Sequence, residues 1–239
     1  MHDFGKIVYL DVQKTGSTYV SRFLQNNLLV SEITLCKHCP VKRVSRNALY
    51  FISVREPLQL YISLYQYGLE GRGGLADRFA EHGLSSYYQP DSTLAFEKWL
   101  DFMLSPDSSR YFGIGYQRSP HTLFGLLSFR FLRLSFVAPV VKLRRARSRQ
   151  SLLKIYNRHK IHDHVIKTET LNQDLEKLLD SKVGSFFKPR EQVKFYLQNS
   201  ERINTSKFGA AFQPENISPD LVAYLKEREW FLYEQFYPQ

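Results

Sequence analysis

Three clusters of polar residues in this chain have the types and spacing to handle an anion. Lys14, Thr15, Gly16, Ser17 and Thr18 follow an apolar run, Ile7 to Val12, and precede a helical pattern carrying Val20, Phe23, Leu24 and Leu28. A strand, a tight hydroxyl-rich turn and a helix aim backbone N–H groups and the positive end of a helix dipole at one point, with a lysine beside it. Such a point binds a phosphate or a similar anion. The lysine precedes the single glycine, and Gly5 lies too far upstream to complete the Gly-x-x-x-x-Gly-Lys-Ser/Thr loop of nucleoside-triphosphate binders. The second cluster is Arg55-Glu56-Pro57, with Ser63 about two turns into the helix that Pro57 opens. A guanidinium fork matches phosphate oxygens, so Arg55 and Ser63 make a plausible clamp for a second phosphate. The third is Lys37-His38. An imidazole titrates near neutral pH and can take a hydroxyl proton.

The elements that must position these residues are legible as periodicity. Strands are expected over about 6–12, 48–54 and 163–168, with a short strand or loop over about 32–39. Helices are expected over about 16–29, 57–68, 92–104, 170–180, 189–200 and 218–236. Ser218 caps the last and Pro219 occupies its first position. A glycine-rich turn, Gly68 to Gly74, and a loop-rich stretch at 105–122 separate them. Leu123 to Val141 contains Arg130 and Arg133, and reads as a buried helix and strand or as a surface that touches membrane. Strands alternating with helices imply an α/β fold with a parallel sheet covered on both faces. Ligands of such sheets bind at the carboxyl ends of strands, where the Lys14 and Arg55 clusters lie.

The first two clusters together resemble the sulfotransferases that use 3′-phosphoadenosine-5′-phosphosulfate (PAPS). Lys14 to Thr18 looks like their 5′-phosphosulfate loop, and Val54-Arg55-Glu56-Pro57 through Ser63 like their 3′-phosphate segment. Lys37-His38, Val165 to Leu171, Ile203-Asn204-Thr205-Ser206-Lys207 and Ser218 to Tyr233 are similar to motifs of the carbohydrate branch, uronyl-type members included. The likeness covers most of 6–70 and 163–236. Gln13 departs from it, standing where many members carry proline. The resemblance implies a P-loop-NTPase-like three-layer sandwich in one domain over 1–239. It implies sulfuryl transfer from PAPS to a sugar hydroxyl of a polysaccharide or oligosaccharide, by in-line displacement. Lys14 would neutralise the bridging oxygen, and the N–H groups of Thr15, Gly16, Ser17 and Thr18, with the Ser17 and Thr18 hydroxyls, would cradle the 5′-phosphate. Arg55 and Ser63 would hold the 3′-phosphate, and His38 would act as general base, with Glu32 the runner-up and Glu70 third. No metal is demanded, because the leaving group carries fewer charges than a triphosphate.

Composition bounds the reading. The chain has 239 residues, 43% hydrophobic and 15% aromatic, enough for a globular domain with a sizeable core. A net charge of +10 favours anionic partners. Lys142, Arg144, Arg145, Arg147, Arg149, Lys154, Arg158 and Lys160 form a basic strip, either a solvated face or a binding surface for a sugar chain with exposed aromatics such as Tyr87, Tyr88 and Tyr111. Nucleic-acid recognition fits the charge, but no zinc finger or aromatic RNA-binding signature supports it. Cys36 and Cys39 flank His38. Zinc would also need His159, His162 or His164, at a spacing that matches no standard finger, so two free thiols in a reducing compartment are expected. The run Ile7 to Val12 is too short, and too interrupted by Asp11, for a signal peptide. No stretch of about 20 uncharged apolar residues occurs. A soluble, cytoplasmic enzyme of bacterial type is the expectation. Two other readings stand beside it: an ATP-dependent small-molecule kinase with Asp11 near a magnesium ion, and a non-catalytic glycan-binding protein on a degenerate transferase fold.

Overall fold

Two of the apolar runs lie side by side as strands. The computed structural model describes residues 1–89, 92–200 and 213–238. Its strands are β1 (His2–Asp3), β2 (Ile7–Leu10), β3 (Thr34–Leu35), β4 (Leu49–Val54) and β5 (His164–Lys167). Its helices are α1 (Ser17–Asn27), α2 (Pro57–Leu69), α3 (Gly74–Glu81), α4 (Thr93–Leu104), α5 (Ile114–Gln117), α6 (Leu126–Leu134), α7 (Pro139–Leu143), α8 (Arg149–His159), α9 (Leu171–Lys177), α10 (Arg190–Asn199), α11 (Pro219–Arg228) and α12 (Trp230–Phe236). Two compact units result. The described residues of Met1–Arg55, Arg130–Pro139 and Lys154–Thr205 form one, and those of Glu56–Phe129, Val140–Leu153 and Ser206–Gln239 the other.

The first unit holds a single open sheet in the order β3-β1-β2-β4-β5. β2, β4 and β5 are parallel, joined by long crossovers. The fully parallel sheet expected from the sequence is corrected at one end, where β1 runs antiparallel to both β2 and β3. The cause is the short link Phe4–Lys6, since a tight turn can join only antiparallel neighbours. Gly5 sits at φ 77 in that turn, and its N–H donates to Asp3 Oδ1 at 2.7 Å. Every residue of β2 and β4 is buried, which is why both read as unbroken apolar runs rather than alternating ones. Ile7, Tyr9, Leu49, Phe51 and Ile166 join Val20, Phe23 and Leu24 of α1, Leu175 of α9, and Val193 and Leu197 of α10 in one core.

A buried histidine gives this unit a pH dependence. His162 is 6% exposed, its ring lies edge-on to Phe131 at 5.7 Å, and its Nε2 is 3.2 Å from the Tyr156 hydroxyl. Burial, helped by the charge of Lys160, pushes it down from 6.5 to about 3. Above pH 6.5 the ring is neutral in both folded and unfolded chains and contributes nothing. Below it the unfolded chain takes up a proton that the folded one refuses until about pH 3. Stability should therefore fall on acidification by up to about 1.4 kcal/mol per pH unit in that window. Urea denaturation at a series of pH values should show this slope in the wild type and a shallower one in His162→Gln; equal slopes would contradict it.

The second unit is helical and rich in aromatic contacts. Tyr65 meets Trp99 at 5.2 Å, Phe96 at 5.3 Å and Tyr88 at 5.8 Å, while Phe79 meets Phe102 at 5.6 Å. Tyr87, Tyr88 and Tyr111, expected as exposed sugar-binding rings, are half-buried; Tyr87 and Tyr111 pack on Phe102 and Tyr88 on Tyr65. The closing helix expected over about 218–236 is two helices, α11 and α12, meeting at Glu229. Arg228 donates to the carbonyls of His121, Leu104 and Thr122 at 2.6, 2.8 and 3.0 Å. Glu229, fully buried, accepts from the Tyr61 hydroxyl, the backbone N–H groups of Leu127 and Ser128, and the Ser128 hydroxyl, all within 3.0 Å. These two charged side chains satisfy loop carbonyls and the opening turn of α6, and they fix the break between the helices. Leu123 to Val141 forms α6 and α7 with no strand, and the glycine-rich turn runs into α3. Among the described residues no helix is long and apolar enough to cross a membrane.

Candidate functional site

The parallel register gathers three loops of the first unit at one edge of its sheet. Leu10 pairs with Ile52, and Val54 with Lys167. The carboxyl ends of β2, β4 and β5 therefore open into Asp11–Gly16, Arg55 and Thr168–Thr170 at neighbouring positions, with adjacent strands about 4.8 Å apart. Thr168 ties two of these ends together: its N–H and its hydroxyl donate to the Val54 carbonyl at 2.9 and 3.1 Å.

The loop after β2 is held by its own side chains. Thr15 is fully buried, and its hydroxyl donates to the Val12 carbonyl at 2.8 Å and lies 2.5 Å from Ser53 Oγ, which lies 2.7 Å from the Tyr9 hydroxyl. The Thr15 side chain is therefore an anchor for the loop. Lys14 and Gly16 take positive φ, 62 and 81. A Cβ on Gly16 would lie 3.1 Å from Leu171 Cδ2, so both the backbone conformation and the space favour glycine. Gly16 caps α1 and contributes no side-chain hydrogen bond to it, and no acidic residue occupies the first turn. As the N-cap, Gly16 has no side chain with which to satisfy the opening N–H groups of α1. Ser17 is half-buried and Thr18 exposed on this turn; Lys14 and Arg55 are both half-buried.

The residue that opens the loop organises a second group. Asp11 is 1% exposed. Its Oδ1 accepts the His38 backbone N–H at 2.9 Å, and its carbonyl oxygen lies 2.8 Å from His38 Nδ1. A carbonyl can only accept, so Nδ1 carries the proton and the neutral ring presents an unprotonated Nε2. Oδ2 is 3.4 Å from His38 Nδ1 and 3.7 Å from His2 Nε2. Burial alone would raise the Asp11 carboxyl, but the nearby His2 ring and the hydrogen bonds from the Met1 α-ammonium and the His38 backbone outweigh it and hold the group below its usual value. His2 stacks on Tyr9 at 5.7 Å and meets Glu32 Oε1 through Nδ1 at 2.7 Å. Glu32, the runner-up base, is thus already engaged by His2, and Gln25 also reaches it at 3.2 Å.

His38 stands in a cross-linked turn. Cys36 and Cys39 form a disulfide, which corrects the expectation of two free thiols. The Cys39 N–H donates to the Cys36 carbonyl at 3.2 Å, closing a four-residue turn in which His38 has φ 57.

The remaining site residues belong to both units. Arg55 ends the first unit, whereas Ser63 lies within α2 of the second and is 4% exposed. Glu70, also in the second unit, makes a surface pair with Arg72 at 3.1 Å. Arg144, Arg145, Arg147 and Arg149 of the basic strip are exposed around the buried Leu143 and Ala146. The Asn204-Thr205-Ser206-Lys207 segment lies outside the described residues. Among the described residues no group of three or more His, Cys, Asp or Glu side chains could hold a metal ion. Sequence reasoning missed the role of Asp11 at His38 and of His2; the one available signal was an aspartate interrupting an apolar strand at its carboxyl end. No protein-family model matches the chain, nor does any curated protein or solved structure.

Proposed function

We propose that this chain transfers a sulfuryl group from PAPS to a hydroxyl of a polysaccharide or oligosaccharide, with His38 as general base. The observation that carries the reading is the attachment of His38 to Asp11, the residue that opens the Lys14 loop. It fixes the tautomer a base needs and sets the ring beside a loop suited to anions. The 5′-phosphosulfate would lie on the N–H groups of Thr15 to Thr18, with Lys14 beside the bridging oxygen and the Ser17 and Thr18 hydroxyls as further donors. Arg55, at the same sheet edge, would take the 3′-phosphate. The acceptor oxygen attacks sulfur, the bond from sulfur to the phosphate oxygen breaks, and that oxygen keeps the electron pair while Lys14 offsets its charge. The hydroxyl proton passes to His38 Nε2, and the Asp11 carboxylate, 3.4 Å from Nδ1, stabilises the imidazolium that results. The three parallel strands and their crossover helices are also what a P-loop-NTPase-like sandwich would supply, and the proposal includes that fold.

The reading predicts that adenosine-3′,5′-bisphosphate, the product nucleotide, raises the melting temperature. A ligand at one hundred times its dissociation constant adds about 2.7 kcal/mol when only the folded state binds it. A panel of glycans incubated with donor labelled in the sulfuryl group should yield a labelled sugar and adenosine-3′,5′-bisphosphate in equal amounts. ATP-dependent phosphorylation with a magnesium requirement, and no response to the bisphosphate, would overturn the proposal.

A further inference from the structure

The geometry points to Cys36–Cys39 as a reversible redox modification site that switches His38 between a held and a released state. The inference deepens the proposed function, and its catalytic consequence rests on His38 serving as the base. The cysteines enclose only Lys37 and His38, so the disulfide spans the same four residues as the hydrogen bond from the Cys39 N–H to the Cys36 carbonyl. His38 occupies the left-handed region at φ 57, which costs an ordinary side chain energy and persists only where its surroundings impose it. Two constraints do so here. One is Asp11, which takes the His38 backbone N–H at 2.9 Å and orients Nδ1 at 2.8 Å. The other is the cross-link.

The turn is also placed to react. Cys36 and Lys37 are exposed, Cys39 and His38 half-exposed, and the segment leaves the short edge strand β3. An attacking thiolate can therefore reach the bridge without prior unfolding, as exchange requires.

The reaction is a two-electron exchange with a dithiol. A thiolate attacks one sulfur, the Cys36–Cys39 bond breaks and a mixed disulfide forms. The second thiol of the reductant resolves it, leaving Cys36 and Cys39 as thiols with two protons and the reductant as its disulfide. Once the cross-link is open, the turn gains conformational freedom, and His38 keeps its left-handed conformation and its bond to Asp11 for only part of the time.

The test uses the full chain labelled with ¹⁵N, with dithiothreitol as the dithiol. Alkylation and mass spectrometry should find one closed bridge before treatment and two alkylated cysteines afterwards, with the change reversed by oxidised glutathione once the dithiothreitol is removed. Exchange of the His38 amide should accelerate by about tenfold or more on reduction, while amides of Val20 and Phe23 in α1 keep their protection. Sulfuryl transfer should fall alongside. The Cys36→Ser/Cys39→Ser variant should show the fast His38 exchange with or without dithiol. A bridge that stays closed in the folded protein, or a His38 amide that exchanges equally in both forms, overturns the inference. A His38 amide that responds in a chain showing no transfer leaves the switch standing and removes the proposed reaction instead.

Discussion

His38→Ala should lower the rate of sulfuryl transfer by about 10²–10⁴-fold, the usual worth of a positioned general base. Affinity for adenosine-3′,5′-bisphosphate should be unchanged, because the proposed anion contacts belong to Lys14, the opening turn of α1 and Arg55. The pattern sought is a fall in kcat with nucleotide binding preserved, read by steady-state kinetics and titration on the same preparation. His38→Gln separates basicity from packing: it restores a polar side chain but no base, and should remain as slow as alanine. A variant that retains more than about a third of wild-type kcat would remove His38 from the chemistry and leave Asp11–His38 as a structural pair. Glu32, which His2 meets at 2.7 Å, would then be the next base to test.

Glu229→Ala should destabilise the second unit by about 3–5 kcal/mol, the range seen when one member of a buried charged network is removed. The carboxylate is fully buried and accepts from the Leu127 and Ser128 N–H groups, the Ser128 hydroxyl and the Tyr61 hydroxyl. Each of those donors would be left without its acceptor in a dry interior, and an orphaned buried donor costs about 1–3 kcal/mol. The negative charge also faces the positive end of the α6 dipole, a favourable placement that alanine forfeits. The chain is fitted closely around this group: a Cβ on Gly125 would fall 2.2 Å from Glu229 Oε1. Urea denaturation followed by aromatic fluorescence should show the midpoint move down, with Glu229→Gln intermediate because it keeps one acceptor oxygen. A shift worth less than about 1 kcal/mol would mean that water or relaxation replaces the carboxylate.

The parts of the fold visible in the sequence are those where one local pattern dominates. Ile7–Leu10 and Leu49–Val54 read as strands because both faces of each are buried, and Ser17 to Asn27 as a helix because its apolar residues recur at helical spacing. The Lys14 loop and Arg55 could be placed at the ends of parallel strands for the same reason. Features settled by distant partners were not legible. β1 and β3 are two residues each, too short to show any period, yet they set the mixed character of the sheet. Glu229 sits inside an uninterrupted helical pattern, and only its bonds to residues more than 100 positions away mark it as a break. The pairing of Asp11 with His38 spans 27 positions and depends on a positive-φ turn at a residue that is not glycine. Nothing in the composition of that turn announces it. The disulfide was misread because compartment was inferred from the lack of a recognisable targeting segment, whereas the short-range geometry of a Cys-Lys-His-Cys turn decides the pairing.

The central claim is that the Lys14 loop and Arg55 hold the two ends of one adenosine nucleotide. Isothermal titration of adenosine-3′,5′-bisphosphate into the wild type, Lys14→Ala and Arg55→Ala tests it most directly. The account predicts one nucleotide per wild-type chain and a loss of affinity of about tenfold or more in each variant, as expected when a charge-assisted phosphate contact is removed. Saturable binding that both variants retain at full strength, or no binding to the wild type, would contradict it.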